Sequence, residues 1–281
     1  MRAQERPTPY VGVSGVGTSD EHLAIRNFYN KAQLHESGRL LLLGVKGCSN
    51  QYADKPNKRG DIWYPVGEKI SDVISDPSDF ELPVIQTYFG KNSYDEIGLV
   101  TSATDLIVSR TSPWVHGFQY DMFPWTNDEH VEYLRRTKSV HPDWSIIVQC
   151  HSGLMDELGP QGITDALAKQ SGIIDYALFD ASHGEGIELS PTKLIRFVDA
   201  VYSDSRISTM NFGVAGGLHA DNLELLLPIL NDYPDISFDS EGKMHFQNGE
   251  NGGQLKLDNV RRYLTKAAEL LWSIDNKKPL V

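Results

Sequence analysis

Seven polar or ionisable residues stand at or near the ends of short apolar segments that are spread along the chain. In an extended strand, residues two apart share a face, so Gln119 points the same way as Asp121, and Gln149 the same way as His151. If the ends of these segments meet, a carboxylate, an imidazole and an amine could exchange protons with one substrate. We therefore expect an acid–base site built from Ser14, Lys46, Gln119, Asp121, Gln149, His151 and Asp180. The alternative for any single residue is a structural role, for example an internal ion pair between Lys46 and Asp121.

The segments that carry these residues alternate with stretches of helical periodicity. Eight β-rich runs are predicted, over 10–15, 40–46, 83–89, 115–122, 145–151, 176–181, 209–216 and 236–240. The predicted helices cover 20–36, 66–74, 94–102, 128–140, 161–170, 190–204, 220–232 and 255–274. Eight β-then-α units predict an α/β fold, a single parallel (β/α)8 TIM barrel over residues 1–281. In that fold the carboxyl ends of all strands face one side, which would bring the seven residues together.

A long stretch of mostly irregular character, about 47–80, interrupts the alternation between the second and third runs. It mixes Lys55, Lys58 and Arg59 with Trp63 and Tyr64. We expect this insertion to cap the open end of the barrel. The alternative is a solvated surface excursion with an aromatic cluster of its own.

The composition limits the partners. A formal net charge of −12 predicts repulsion of nucleic acid and of anionic membranes, while a local basic pocket for an anionic metabolite stays compatible with it. No apolar stretch resembles a signal peptide or a membrane span, so a cytoplasmic protein, monomeric or homodimeric, is expected. Cys48 and Cys150 are expected to be reduced thiols. No cofactor or metal is expected, although Asp121, His151, Asp180 and His183 are chemically suitable metal ligands.

A glycine pair follows the seventh run. In the segment 211–222, Gly216 and Gly217 precede a predicted helix, and backbone without a Cβ next to a helix start is well suited to bind phosphate. Glycine there could also serve only a turn that needs positive φ. His219, just beyond the pair, could help to neutralise an anion or could be a solvent-exposed residue.

Together these segments resemble the phosphoribosylanthranilate isomerase family of ribulose-phosphate-binding barrels. The resemblance is carried by 215–222 (AGGLHADN), by 176–180 (YALFD) with Gly184 and Gly186, by 11–15 (VGVSG) and by 118–121 (FQYD). It implies an Amadori-type aldose–ketose rearrangement of a phosphorylated sugar or amino sugar, with Asp180 as general acid. We also expect substrate contacts from Gln119, Gln149, His183, Gly184, Gly186, Gly216, Gly217, Asp239 and Ser240.

The chain departs from the family pattern at three places. Ser14 stands where the family has its cysteine base, so His151, His183 or Asp121 would have to supply the base. Glu241 follows Ser240 in the expected phosphate loop and would repel a dianion. The family's arginine for the anthranilate carboxylate has no clear counterpart, although Lys46 or Arg59 could replace it.

Two other functions fit the same residues. A lysine inside a barrel can form a Schiff base when its pKa is lowered, so Lys46 could belong to a lyase or aldolase. Alternatively, the barrel could bind a phosphorylated ligand without catalysis, which Ser14 and Glu241 both permit.

Overall fold

Eight parallel strands close into a barrel in the computed structural model, which describes residues 6–48, 69–88, 105, 114–180, 190–246 and 253–275. Each strand pairs with the next one along the chain, and the last pairs with the first. The predicted (β/α)8 barrel is therefore confirmed. The strands are β1 (Tyr10–Ser14), β2 (Leu40–Cys48), β3 (Glu81–Tyr88), β4 (Gly117–Asp121), β5 (Ser145–His151), β6 (Tyr176–Asp180), β7 (Asn211–Ala215) and β8 (Ser237–Ser240).

Helices follow the strands and cover the outside of the barrel. The α-helices of the described chain are α1 (Ser19–Lys31), α2 (Lys69–Val73), α3 (Asp128–Val140), α4 (Ser152–Ala168), α5 (Pro191–Tyr202), α6 (Leu227–Asp232) and α7 (Leu257–Asp275). Short 3-10 helices span Leu34–Ser37, Ser205–Ile207, Leu223–Leu226 and Gly242–Met244. Over the same residues, no helix is long and apolar enough to cross a bilayer.

The helix ends follow from local sequence. Thr18 caps α1 by accepting a hydrogen bond from the Glu21 amide at 3.2 Å, and Pro191 starts α5, where the missing N–H costs nothing. The predicted boundaries of 128–140 agree with α3. The predicted helix 94–102 lies outside the described residues.

Two predicted helices begin at the wrong residue. The helix expected from 161 begins at Ser152 and continues across a kink, where Gly159 has φ 65° and Pro160 follows. In the sequence, a glycine followed by a proline indicates a helix end, so the first half of this helix was not predicted. The helix expected from 220 is a 3-10 turn from Leu223 followed by α6 from Leu227. Pro228 in the first turn of α6 accounts for this late start.

The alternation of side chains along the strands divides the core into two layers. One parity packs between the strands and the helices, as Val11 and Val13 do. The other parity fills the barrel interior with a smaller cluster that includes Tyr10, Leu42, Val84, Ile147, Tyr176 and Leu178. These interior residues lie in the earlier parts of their strands, so the lower interior is apolar, and the carboxyl ends are left for polar side chains.

Candidate active site

Polar side chains line the carboxyl end of the barrel, which we call the mouth. They share the parity of the apolar interior cluster, one or two steps further along each strand. Most of them are buried, while Gln149 and His151 are half-buried. The mouth residues are Ser14, Lys46, Gln86, Gln119, Asp121, Gln149, His151, Asp180 and Asp239. The structure therefore brings all seven residues expected from the sequence to one end of the barrel, together with Gln86 and Asp239.

A chain of contacts crosses the mouth from β2 to β4. Lys46 forms an ion pair with Glu241, the residue that follows β8. The Gln86 amide donates to Glu241 Oε2 at 2.7 Å and to Asp121 Oδ2 at 2.6 Å, while Gln119 donates to Asp121 Oδ1 at 3.2 Å. The two carboxylates are thus linked through Gln86, and the lysine neutralises Glu241.

Ser14 and Asp239 form a second group, on the neighbouring strands β1 and β8. Ser14 donates to the Asp239 carboxylate, with Oγ at 2.9 Å from Oδ2 and 3.2 Å from Oδ1. Gly12 makes room for the carboxylate, because a Cβ at that position would stand 2.6 Å from Asp239 Oδ1. The residue at the family's cysteine position is therefore hydrogen-bonded to a carboxylate that could remove protons in its place.

Asp180 belongs to a third group, at the ends of β5 and β6. The Gln149 side chain donates through Nε2 to Asp180 Oδ2 at 2.9 Å and accepts at Oε1 from the Met122 backbone amide at 3.2 Å. His151 accepts a hydrogen bond at Nδ1 from the Leu154 amide at 3.2 Å and so caps α4. Nδ1 of His151 must be unprotonated for this contact, so only Nε2 can carry the proton of the neutral ring.

Burial and the charges at the mouth raise the pKa of two carboxyl groups to near neutral pH. Burial, followed by the charge of Glu241, raises the pKa of Asp121 to about 7. Burial also raises the pKa of Asp239 to about 7, partly opposed by the hydrogen bond from Ser14. Glu241 behaves oppositely: burial disfavours its charge, but the Lys46 ammonium outweighs this and holds the pKa at about 2. Groups with a pKa near 7 can both accept and release a proton under neutral conditions.

The glycine pair forms a tight turn after β7. Gly216 and Gly217 have φ values of 116° and 62°, which side chains with a Cβ rarely adopt. Asn222 fixes the turn, since its amide donates to the Gly217 carbonyl at 3.0 Å and its oxygen accepts from the His219 amide at 2.8 Å. No α-helix starts directly after the pair, because α6 begins only at Leu227. The helix amino end that was expected to assist phosphate binding is therefore missing at this position.

The hydroxyl of Ser240, another residue expected to contact phosphate, donates to the Leu218 carbonyl and joins β8 to the turn after β7. Its backbone amide lowers the pKa of Asp239. His183, Gly184 and Gly186 lie outside the described residues, as do Arg59 and the greater part of the 47–80 insertion. Within the described chain, no three His, Cys, Asp or Glu side chains are grouped to hold a metal ion.

Sequence reasoning missed Gln86 and His245 and gave Glu241 a different role. Gln86 lies two residues after the interior residue Val84, so the alternation rule applied to β3 would have found it. Glu241 was seen only as an obstacle to phosphate, because its pairing with Lys46 joins residues 195 apart in sequence. His245 is fully buried, with Nδ1 at 2.9 Å from the Glu241 carbonyl and Nε2 at 3.0 Å from the Gly15 carbonyl, and no local pattern marks it.

The fold and the mouth define a (β/α)8 barrel with acid–base side chains at the carboxyl ends of its strands. No protein-family model matches the sequence, and no curated protein matches it either. Among solved structures, the chain is similar to the tryptophan synthase alpha chain of Legionella pneumophila subsp. pneumophila, with 12% identity over 97% of this chain and 94% of that chain and a TM-score of 0.55. It is also similar to the catalytic domain of a hyperthermophilic chitinase from Pyrococcus furiosus, with 11% identity over 95% and 98% of the two chains and a TM-score of 0.52. At these identities the likeness is one of fold alone.

Proposed function

We propose that this barrel is an isomerase acting on a phosphorylated sugar or amino sugar, by an aldose–ketose rearrangement of the Amadori type. The observation that carries the proposal is the hydrogen-bonded pair of Ser14 and Asp239, buried at the mouth with a carboxyl pKa of about 7. Asp239 then supplies the base that the serine at position 14 cannot supply alone. The base is thus a residue that the sequence suggested only as a substrate contact.

In the proposed reaction, Asp239 removes the proton from carbon 2 of the open-chain substrate. Asp180, oriented by the hydrogen bond from Gln149, donates a proton to the oxygen or nitrogen atom on carbon 1, which takes up the negative charge. In the second step the protonated Asp239 returns its proton to carbon 1, and the Asp180 carboxylate takes the proton of the hydroxyl on carbon 2, which becomes the ketose carbonyl. Both carboxyl groups are thereby restored. The glutamine amides at the mouth offer hydrogen bonds to the substrate hydroxyls, and Asp121 provides a further carboxyl group with a pKa of about 7.

The alternative Schiff-base chemistry at Lys46 is disfavoured by its surroundings. A nucleophilic lysine must be neutral, whereas the ion pair with Glu241 stabilises the ammonium form. The same ion pair lowers the pKa of Glu241. Lys46 is therefore assigned to positioning Glu241 and to the electrostatics of the mouth.

Proton exchange with solvent tests the proposal without knowledge of the exact substrate. A panel of pentose and hexose phosphates and their 1-arylamino derivatives is incubated with the protein in D₂O, and NMR follows deuterium at carbons 1 and 2. Exchange is expected with at least one compound, and Asp239→Asn and Asp180→Asn should each abolish it while the fold is kept. Asp143→Asn, at an exposed turn before β5, is the matched control and should exchange like the parent protein.

Ser14→Ala gives a second, independent readout. The hydrogen bond from Ser14 lowers the pKa of Asp239, so its removal should move the acidic limb of the pH–rate profile to higher pH. A profile that stays in place would contradict the role of Asp239 as base. Thermal stabilisation by a panel compound with no deuterium uptake would instead identify a binding barrel without catalysis.

A further inference from the structure

Two side-chain amide oxygens at the mouth are buried without a hydrogen-bond partner. Gln86 is 5% exposed and Gln119 is 1% exposed, and among the residues that the structure describes, neither Oε1 atom receives a hydrogen bond. A buried polar atom without a partner destabilises a folded protein, since it has lost its contact with water. A ligand that donates hydrogen bonds to these two oxygens would remove that cost.

The two glutamines lie side by side on adjacent strands. Gln86 on β3 pairs with Gln119 on β4 in the register of the sheet, and both side chains reach the same carboxylate. The amide nitrogens of Gln86 and Gln119 donate to Asp121 at 2.6 Å and 3.2 Å. Because the oxygen of each amide is bonded to the same carbon as the nitrogen, both oxygens lie beside the Asp121 carboxylate. We call Gln86, Gln119 and Asp121, together with the adjoining Glu241, the acceptor subsite.

The amide nitrogens of the acceptor subsite are already engaged, while the amide oxygens are not. Gln86 donates to both Asp121 and Glu241, and Gln119 donates to Asp121. A hydroxyl group both donates and accepts hydrogen bonds, whereas an ammonium group carries three N–H donors and no acceptor. A cluster of oxygens whose neighbouring N–H groups are engaged therefore favours an ammonium group over a hydroxyl group.

The charges around the acceptor subsite also favour a cation. Burial, followed by the negative charge of Glu241, raises the pKa of Asp121 to about 7, and the charge of Lys46 opposes this rise without cancelling it. A cation beside Asp121 would stabilise its carboxylate form, and the carboxylate would in turn strengthen the binding of the cation. The net charge of −12 on the chain attracts cations to the protein as a whole.

The edge of the acceptor subsite is accessible to solvent. The Glu241 side chain is 30% exposed, and Met122, the residue after Asp121, is 44% exposed. The two amide oxygens therefore lie beneath groups that a ligand can reach from outside the barrel. Because Asp121 and Glu241 hold both amide nitrogens in place, the oxygens are oriented before a ligand binds, which favours binding.

We infer that the acceptor subsite binds an ammonium group, carried by an amino sugar on the end away from carbons 1 and 2. The position on the sugar rests on the proposed function, in which Asp180 on β6 and Asp239 on β8 act on those two carbons. In a closed barrel of eight strands, β4 lies across the barrel from β8, so Asp121 faces the other end of the substrate. A phosphate dianion would be repelled by the carboxylates of the acceptor subsite, so the ammonium is a separate group from any phosphate of the substrate.

Calorimetric titration of the full chain with three matched hexoses at pH 8 tests the inference. 6-Amino-6-deoxyglucose carries an ammonium group, glucose carries a hydroxyl group at the same carbon, and 6-acetamido-6-deoxyglucose carries an uncharged amide. The amine should bind at least about tenfold more tightly than glucose, and the acetamide should bind no more tightly than glucose. Equal affinity for the amine and glucose, or no binding of the amine at tens of millimolar, would overturn the inference.

Two variants that keep the size of the side chain locate the ammonium group. Asp121→Asn removes the negative charge and should bring the affinity for the amine to within about twofold of that for glucose. Gln119→Met removes an acceptor oxygen and should weaken binding of the amine about fivefold. Asp143→Asn, at the exposed turn before β5, is the control and should bind all three sugars like the parent protein. Unchanged binding of the amine in both Asp121→Asn and Gln119→Met would overturn the inference.

A titration with magnesium and calcium chloride distinguishes the ammonium from a divalent metal ion, which also binds carboxylate and amide oxygens. A metal ion that binds the parent protein more tightly than the amine does, and is lost in Asp121→Asn, would overturn the inference in favour of a metal site.

The deuterium-exchange experiment separates the inference from the proposed function. Preference for the amine without exchange in any compound would support the ammonium subsite and contradict the isomerase. Exchange with sugars that carry no amine, together with equal affinity for the amine and glucose, would support the isomerase and overturn the ammonium subsite.

Discussion

Asp239 is expected to reduce the stability of the folded protein at neutral pH. The residue is 4% exposed, and burial followed by the charge of Glu241 raises its pKa from the ordinary 3.8 to about 7, against the opposing hydrogen bond from Ser14. Between about pH 4 and pH 7 the folded protein therefore retains a proton that the unfolded chain has released. Because the folded state binds more protons in this range, the free energy of unfolding should fall as the pH rises and then level off above about pH 7.

The substitution Asp239→Asn removes the ionisation but keeps the shape of the side chain and an oxygen that can accept from Ser14. A rise in pKa from 3.8 to about 7 corresponds to about 4 kcal/mol, and structural relaxation around the charged form reduces this value. We expect the variant to be about 2–4 kcal/mol more stable than the parent protein at pH 8. The gain should shrink as the pH falls and disappear below about pH 3, where the parent carboxyl is protonated in both states.

Urea unfolding at pH 4.5 and pH 8 measures the difference for the parent protein, Asp239→Asn and the exposed control Asp143→Asn. The control should change the free energy of unfolding by less than about 0.5 kcal/mol at either pH. A stability difference for Asp239→Asn that is equal at the two pH values would refute the assigned pKa. A more stable but inactive variant is the result expected for a carboxyl group kept in a costly environment for its chemistry.

Three further changes test other parts of the mouth and the core. Gly12→Ala places a Cβ 2.6 Å from Asp239 Oδ1 and should lower the free energy of unfolding in urea by about 1–3 kcal/mol. In the control Gly242→Ala the Cβ meets no atom within 4 Å, so the free energy of unfolding should change by less than about 0.5 kcal/mol. Lys46→Met leaves Glu241 without its cation and should lower the free energy of unfolding by about 1–2 kcal/mol at pH 7. Lys266→Met removes a lysine from an exposed ion pair and should lower it by less. Equal losses of stability would contradict the coupling of Lys46 to Glu241. Cys150 is fully buried and burial raises the pKa of its thiol, so mass spectrometry after alkylation should find it unmodified in the native protein and modified in urea.

The strands of the barrel were predictable because their signal is local. Each strand is a short apolar run that ends at a polar residue or a glycine, and the β5 boundaries of 145–151 agree with the structure at both ends. The alternation of side chains also predicted that Ser14, Lys46 and Asp180 reach one end of the barrel. Helix starts were less predictable where glycine and proline interrupt the periodicity, as at Gly159 and Pro160.

The pairing of the polar residues was not predictable. The sequence left Lys46 open to a pair with Asp121 or to Schiff-base chemistry, whereas the structure pairs it with Glu241, 195 residues away. It also left the base open between two histidines and Asp121, whereas the structure joins Ser14 to Asp239 from the two strands that close the barrel.

Residue types and their periodicity are properties of the chain, and they suffice to set the kind of fold and the end of the barrel that carries polar groups. Which carboxyl group is neutral and which is charged depends on burial and on the nearest opposite charge, and both arise only when distant strands meet. The barrel closure thus raises the pKa of Asp239 beside Ser14 and lowers that of Glu241 beside Lys46, although in the sequence only Ser240 separates the two acids.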